Sequence, residues 1–312
     1  LKTIVAVSNF SLDASHFGSF QELTESMSKF EEIRGYFTQE KVSYAAGSDL
    51  LTHKGFGTSI MEQLDNFAYC EDKMVLGAFV GTVFQKYLNE YDLNQSTDDL
   101  MLHAQQPIDT ELNKSYLLYV PCLNVVRKGV FRTESDFSDH YEMLLSDYPI
   151  DNKSYFSRAK SHFKNIIFHE DGAYTLTRVE GDFREFSMSF TLCLKALNEF
   201  SPTNISGAEE RKKQTNALTK YDCTGQGYSH KNFKFEFKKI DGSGTQELTC
   251  QYHMKPNENN TIGDETFYQN RIYFGFYPVT TKSWKVAVAS IGPHINTDNE
   301  DDRYAKPKNF NN

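Results

Sequence analysis

The sequence predicts an α+β fold: a mainly helical N-terminal domain over residues 1–204, a charged helix and linker over 205–231, and an antiparallel β-sheet domain over 232–295. Two patterns predict it. In the first part apolar residues recur every three or four positions, as at Phe20, Leu23, Met27, Phe30, Ile33 and Phe37, which is the stripe of an amphipathic helix. In the last part they alternate with polar ones. Phe233, Phe235 and Phe237 interleave with Lys234, Glu236 and Lys238, the period of a strand with one buried face. With 312 residues, 39% of them apolar, the chain can bury the core of one large domain or of two ordinary ones.

Taken in order, residues 3–8 read as a short apolar strand that precedes the striped helix. Residues 59–67 read as a short helix. Residues 73–91 read as a long one, with Val75, Leu76, Phe79, Val80, Val83, Phe84, Tyr87 and Leu88 forming a broad apolar band. Gly47 and the pair Gly55 and Gly57 mark turns. No Gly-Lys-Ser/Thr or Gly-x-Gly-x-x-Gly follows, so no phosphate loop is predicted. Residues 94–113 are polar and broken by Pro107, and read as an exposed connection. Residues 115–121 fit either a strand or a buried helix. Residues 136–148, 154–168 and 182–200 read as helices, with Gly172 as a cap after the second. Ser206 caps a charged segment of mixed sign, a solvated helix surface. Residues 221–230 link into the sheet. Residues 296–312, rich in Asn and Asp, read as a disordered tail.

The sheet domain reads as four strands. Asp241-Gly-Ser-Gly joins the first to the second in a hairpin, because glycine supplies the positive φ of a tight turn. Along the second strand Leu248, Cys250, Tyr252 and Met254 share an apolar face, and Gln251, His253 and Lys255 share the other. In the third, Ile272, Phe274 and Phe276 point to the core, and Arg271, Tyr273 and Gly275 point away. In the fourth, Trp284, Val286 and Val288 point inward. The opposite face thus collects Glu236, His253, Lys255, Arg271, Tyr273 and His294 around the small residues Gly275, Ala287 and Ala289, the outline of a concave site.

These residue types suit phosphodiester chemistry without a metal. His253 and His294 titrate near neutrality, so one can accept a proton while the other donates one, and Glu236 can stand in as base. Lys255 and Arg271 can hold a phosphate and stabilise charge developing on it, and Tyr273 can orient or stack a base. The set requires no metal and no cofactor. The competing reading is a solvated sheet face that recognises a partner.

His253-Met-Lys255, Arg271-Ile-Tyr-Phe and Ile291-Gly-Pro-His294 resemble the C-terminal pattern of uncharacterised bacterial proteins encoded in phage-defence or restriction neighbourhoods. The resemblance covers the last third well and the helical part loosely. It implies a role in anti-phage defence and supplies no catalytic residues. A helical region followed by an antiparallel sheet with Glu, His and Arg on one face is similar in outline to metal-independent RNases and RelE-like toxins, although none of their diagnostic motifs is present. The expectation is an anti-phage effector, a metal-independent endoribonuclease acting on RNA through the sheet. The alternative is a non-catalytic recognition or scaffold subunit that binds a phage protein or an enzymatic partner.

Composition bounds the remaining classes. The net charge of −9 opposes generic nucleic-acid binding, which depends on neutralising phosphates. The charge is uneven. Residues 220–295 hold nine Lys and Arg against seven Asp and Glu, so the remainder carries −11. The five cysteines are widely spaced without a Cys-x-x-Cys, the pattern of reduced thiols rather than disulfides or zinc. Cys122 has no orienting acid or histidine near it in sequence and is not read as a nucleophile. His140 and Glu142 do not share a helix face. His162, His169, Glu170 and Asp171 are a second, weaker set of possible metal ligands. No apolar run reaches the roughly 18 residues of a membrane helix, and the N-terminus is too soon polar for a secretory signal, so a cytoplasmic protein without a membrane partner is expected.

Overall fold

A computed structural model describes residues 1–37, 42–70, 73–122, 128–203, 205, 207–218, 233–256 and 270–295. The expected linker 221–230, the Ser206 cap and the tail 296–312 lie outside the described residues. The chain is a mixed α+β protein of two compact units, Leu1–Tyr141 and Glu142–Asn312. The change from helical to strand periodicity in the sequence lies later, near residue 204. A short strand at residues 166–168 pairs with the last strand of the chain, within the C-terminal unit.

The N-terminal unit is built on a mainly parallel sheet, where the sequence reading expected helices. Strand β1 (Lys2–Val7) is followed by α1 (Phe20–Glu32), β2 (Val42–Ala46), α2 (Ile60–Cys70), α3 (Lys73–Thr82), a π turn at Val83–Tyr87, α4 (Thr97–Gln105), β3 (Ile108–Asp109), β4 (Lys114–Tyr119) and β5 (Val130–Phe131). The sheet order is β2-β1-β4-β3, with β5 also on β4. β2, β4 and β5 run parallel to their neighbours and β3 antiparallel. Buried on both faces, β1 and β4 read as continuous apolar runs instead of alternating ones, which is why residues 115–121 fit either a strand or a helix, while β1 is the short apolar strand that residues 3–8 predict. Leu100 and Ala104 of α4 pack with Ala6, Ala45, Leu118 and Val120 on one face. The striped helix α1 buries Leu23, Met27, Phe30 and the following Ile33, as its spacing predicts. The expected exposed connection 94–113 contains α4. Its start carries a capping box of Ser96 and Asp99, a sequence signal that the polar composition obscured.

Helix α5 (Glu134–Asp147) spans the division. The C-terminal unit continues with α6 (Asn152–His162), β6 (Ile166–Phe168), α7 (Gly172–Leu176), α8 (Phe183–Glu199), α9 (Ala208–Asn216), β7 (Lys234–Lys238), β8 (Thr245–Thr249), β9 (Tyr252–Met254), β10 (Asn270–Pro278) and β11 (Trp284–Pro293). Gly172 opens α7 instead of closing a helix, and the Phe156 ring sits where its Cβ would be. The expected four-stranded antiparallel sheet divides into two sheets: β6-β11-β10-β9, and the hairpin β7-β8. The single strand expected over 245–255 breaks between Thr249 and Tyr252 and passes from one layer to the other. Its apolar row is therefore split. Leu248 and Cys250 pack with Phe237, Tyr277, Ala287 and Ala289. Tyr252 packs at a tilt against Phe274 and Phe276 of the opposite face. Helical residues cover that opposite face: Phe156 meets Phe168 edge-on, Phe200 meets Phe276, and Thr175 accepts a hydrogen bond from the Ile291 amide. The sheet is a middle layer, helices on one side and the hairpin on the other.

Candidate functional site

Pairing of β9, β10 and β11 brings part of the expected set together. Tyr273 stands opposite His253 on β9 and Ser290 on β11. The His253 ring centroid lies 5.5 Å from that of Tyr273 and 6.4 Å from that of His294. Arg271 follows on the same face of β10, opposite Gly292. Lys255 lies one residue beyond β9, half-buried. Glu236 does not join them. It lies on β7, opposite Glu247, and faces solvent on the far side of the hairpin.

The face is not open, and this corrects the expected concave site. His253 is 2% exposed, Tyr273 0% and Arg271 7%. Phe233, with Phe235 beside it, packs on Tyr273, and Phe237, Leu248 and Cys250 cover Ala287 and Ala289. The small residues admit the hairpin. A Cβ on Gly275 would stand 2.6 Å from the Thr249 carbonyl oxygen and 3.0 Å from Cys250 Sγ. The same alternation that puts Phe233, Phe235 and Phe237 on one side of β7 sends Glu236 outward, so Glu236 and the histidines cannot serve one substrate in this arrangement.

The polar groups in this layer hold the fold. Tyr273 Oη accepts from the Ile295 amide at 3.0 Å and pins the end of β11. Arg271 Nη1 donates to the Asn270 carbonyl at 2.7 Å. Asn270 is tied to Glu180 twice: its Oδ1 accepts from the Glu180 amide at 3.0 Å and its Nδ2 donates to the Glu180 carbonyl at 2.9 Å. Beside this rim a hollow of about 330 Å³ is lined by Thr177, Arg178, Glu180 and Pro293.

The other titratable residues singled out in the sequence separate into structural roles. Glu142 accepts from Lys195 Nζ at 2.6 Å and lies 3.2 Å from His162 Nε2. Burial works to raise its pKa, but the bonds from His162 and Lys195 bring it below the usual carboxylate value. His169 packs edge-on against Phe235 and Phe237, and burial lowers its pKa. Glu170 pairs instead with Lys238. Among the described residues no group of three or more His, Cys, Asp or Glu side chains is arranged to hold a metal ion. Among them, too, no helix is long and apolar enough to cross a membrane. Cys250 is buried and its thiol pKa pushed up by that burial, whereas Cys122 is exposed.

Compared with protein-family models, with curated proteins and with solved structures, the chain finds no match.

Proposed function

We propose that the chain is a non-catalytic recognition module of a bacterial anti-phage defence system, and that it docks a protein partner. The observation that carries this reading is the burial of His253, Tyr273 and Arg271, with Phe233 and Phe235 packed on Tyr273, which leaves a phosphodiester no open face to reach them. The defence setting is supported by the sequence resemblance of the C-terminal third.

The docking surface in this reading is the pair of turns at one end of the C-terminal sheet. Ile240, 62% exposed, sits at the β7–β8 turn, and the exposed Val279 sits at the β10–β11 turn. The Ile240 amide donates to Tyr277 Oη at 3.0 Å, which holds the two turns side by side. Lys239, Lys282 and Lys285 flank the two aliphatic side chains, and Asp241 is the acid among them. Such a surface fits a partner with an apolar pocket rimmed by carboxylates.

The metal-independent RNase is the second reading. Its support is the 6.4 Å separation of the His253 and His294 rings. It requires the hairpin to lift.

Both readings meet in one experiment. The full chain is incubated with total bacterial RNA in EDTA, and in parallel a photo-crosslinker at position 240 is used in cells under phage challenge. Recognition expects intact RNA and a discrete protein adduct that is lost in Val279→Asp with folding unchanged. EDTA-resistant cleavage that vanishes in His294→Ala overturns recognition in favour of the nuclease.

A further inference from the structure

The parallel sheet of the N-terminal unit has an edge that the sequence reading did not find. From β1 the chain passes to β2 on one side and then crosses to β4 on the other. Beyond the carboxyl ends of β1 and β4 the connections therefore diverge. In open α/β sheets that divergence leaves a crevice in which ligands bind.

The side chains at this edge are unevenly satisfied. In the turn after β1, the Ser8 hydroxyl accepts from the Phe10 amide at 3.2 Å, and Ser11 Oγ donates to the Tyr119 carbonyl at 2.5 Å, tying the turn to the end of β4. Asn9 lies between them, 1% exposed, and its amide oxygen has no hydrogen-bond partner among the described residues. His53 Nδ1 is buried and equally unpartnered among them, while its Nε2 lies 3.6 Å from the Asp98 carboxylate. Buried polar groups are ordinarily paired, so these two atoms at a switch point are available to a partner. Aromatic rings stand with them. Phe10 meets His53 at 5.5 Å and Phe56 at 5.1 Å, and Phe56 is 36% exposed.

The charges exclude a phosphate. Lys29 is paired with Asp13 and Lys54 with Glu62. The turn after β1 has no glycine before Gly18, so its backbone does not form the cradle that phosphate-binding turns use. Asp49, spent on Thr97, adds negative charge nearby.

We infer that the carboxyl edge of β1 and β4 binds an uncharged, flat heteroaromatic ligand of the nucleoside class, its ring against Phe10 and Phe56 and its polar edge on Asn9 and His53. A base edge presents adjacent donors and acceptors that match an amide such as that of Asn9, and its face stacks on any aromatic ring. The ring reaches these atoms as the turn bearing Phe56 gives way. That turn is flanked by Gly55 and by Gly57, which adopts φ 89°. Gly55 passes so close to Phe10 that a Cβ there would stand 2.7 Å from its ring.

Calorimetric titration of the full chain with adenosine, guanosine, cytidine and uridine, each beside its 5′-monophosphate, tests this. The expected result is saturable binding of at least one nucleoside, with its monophosphate binding more weakly. Phe56→Ala weakens that binding about tenfold, the usual effect of losing one stacking ring, and leaves the melting temperature unchanged because Phe56 is partly exposed. Asp98→Asn, also at an exposed position, weakens it through His53. Asn9→Leu removes it, and if that variant fails to fold the two exposed variants decide. No binding of any nucleoside at millimolar concentration, or binding indifferent to both exposed variants, overturns the inference. A monophosphate that binds more tightly than its nucleoside does so as well. None of these outcomes bears on the docking surface at the hairpin turns.

Discussion

His140 is a buried histidine on α5 whose Nε2 has no hydrogen-bond partner among the described residues. Burial first, and the positive charge of Lys128 second, push its pKa down to about 4 from an ordinary 6.5. The folded chain therefore resists a proton that the unfolded chain accepts. This residue's contribution to stability is full above pH 6.5, is lost as the pH falls towards 4, and changes no further below that. A displacement of that size corresponds to about 3 kcal/mol. Urea midpoints measured across this range should fall more steeply for the natural chain than for His140→Leu. Parallel slopes would show that His140 takes up its proton in the folded state. In the sequence His140 and Glu142 stand two residues apart and do not share a helix face, which argues against a joint metal site. The two have different surroundings: His140 is buried, and Glu142 pairs with His162 and Lys195.

At the scale of elements, the β7–β8 hairpin decides what the C-terminal unit can do. Its docking depends on Gly275, where any side chain meets the Thr249 carbonyl. Gly275→Val is expected to cost about 2 kcal/mol or more, the scale of overpacking in a close-fitted core. The hairpin should then part from the sheet, and alkylation of Cys250, negligible in the natural chain, should approach that of the exposed Cys122 when both are followed by peptide mass spectrometry. A Cys250 that stays protected in a destabilised variant would mean that the hairpin yields without lifting. The alternation in the sequence assigned side chains to faces correctly within β7, β9 and β10. It could not show the break between β8 and β9, because Leu248, Cys250, Tyr252 and Met254 stay in phase across it while the chain changes layer. His253, Arg271 and Tyr273 were legible as residues of one face, whereas the placement of Glu236 on a separate hairpin and the burial of that face were not.

For the whole molecule, charge sets the outer limit of its interactions. With a net charge of −9 the chain lacks the excess of cations that holds a phosphate backbone. Gel-shift assays with random duplex DNA at about 150 mM salt are expected to show no retention. Retention that weakens steeply with added salt would reveal a basic groove that outweighs the average. The hairpin turns, where lysines outnumber acids, are the place to look for it.

What the sequence determined alone is local: helix where the apolar period is three to four, strand where it is two, glycine at the Gly242 and Gly244 turn with positive φ, and the side of each strand on which an aromatic ring falls. What the tertiary structure decided is non-local. It made β6 a strand by pairing it with β11, built a parallel sheet from short runs that a helix could equally have used, and closed the polar face with a hairpin from the same chain. Periodicity records only that a face is distinct from its opposite. Whether water or another layer covers it depends on contacts between residues far apart in the chain, and no local pattern encodes those.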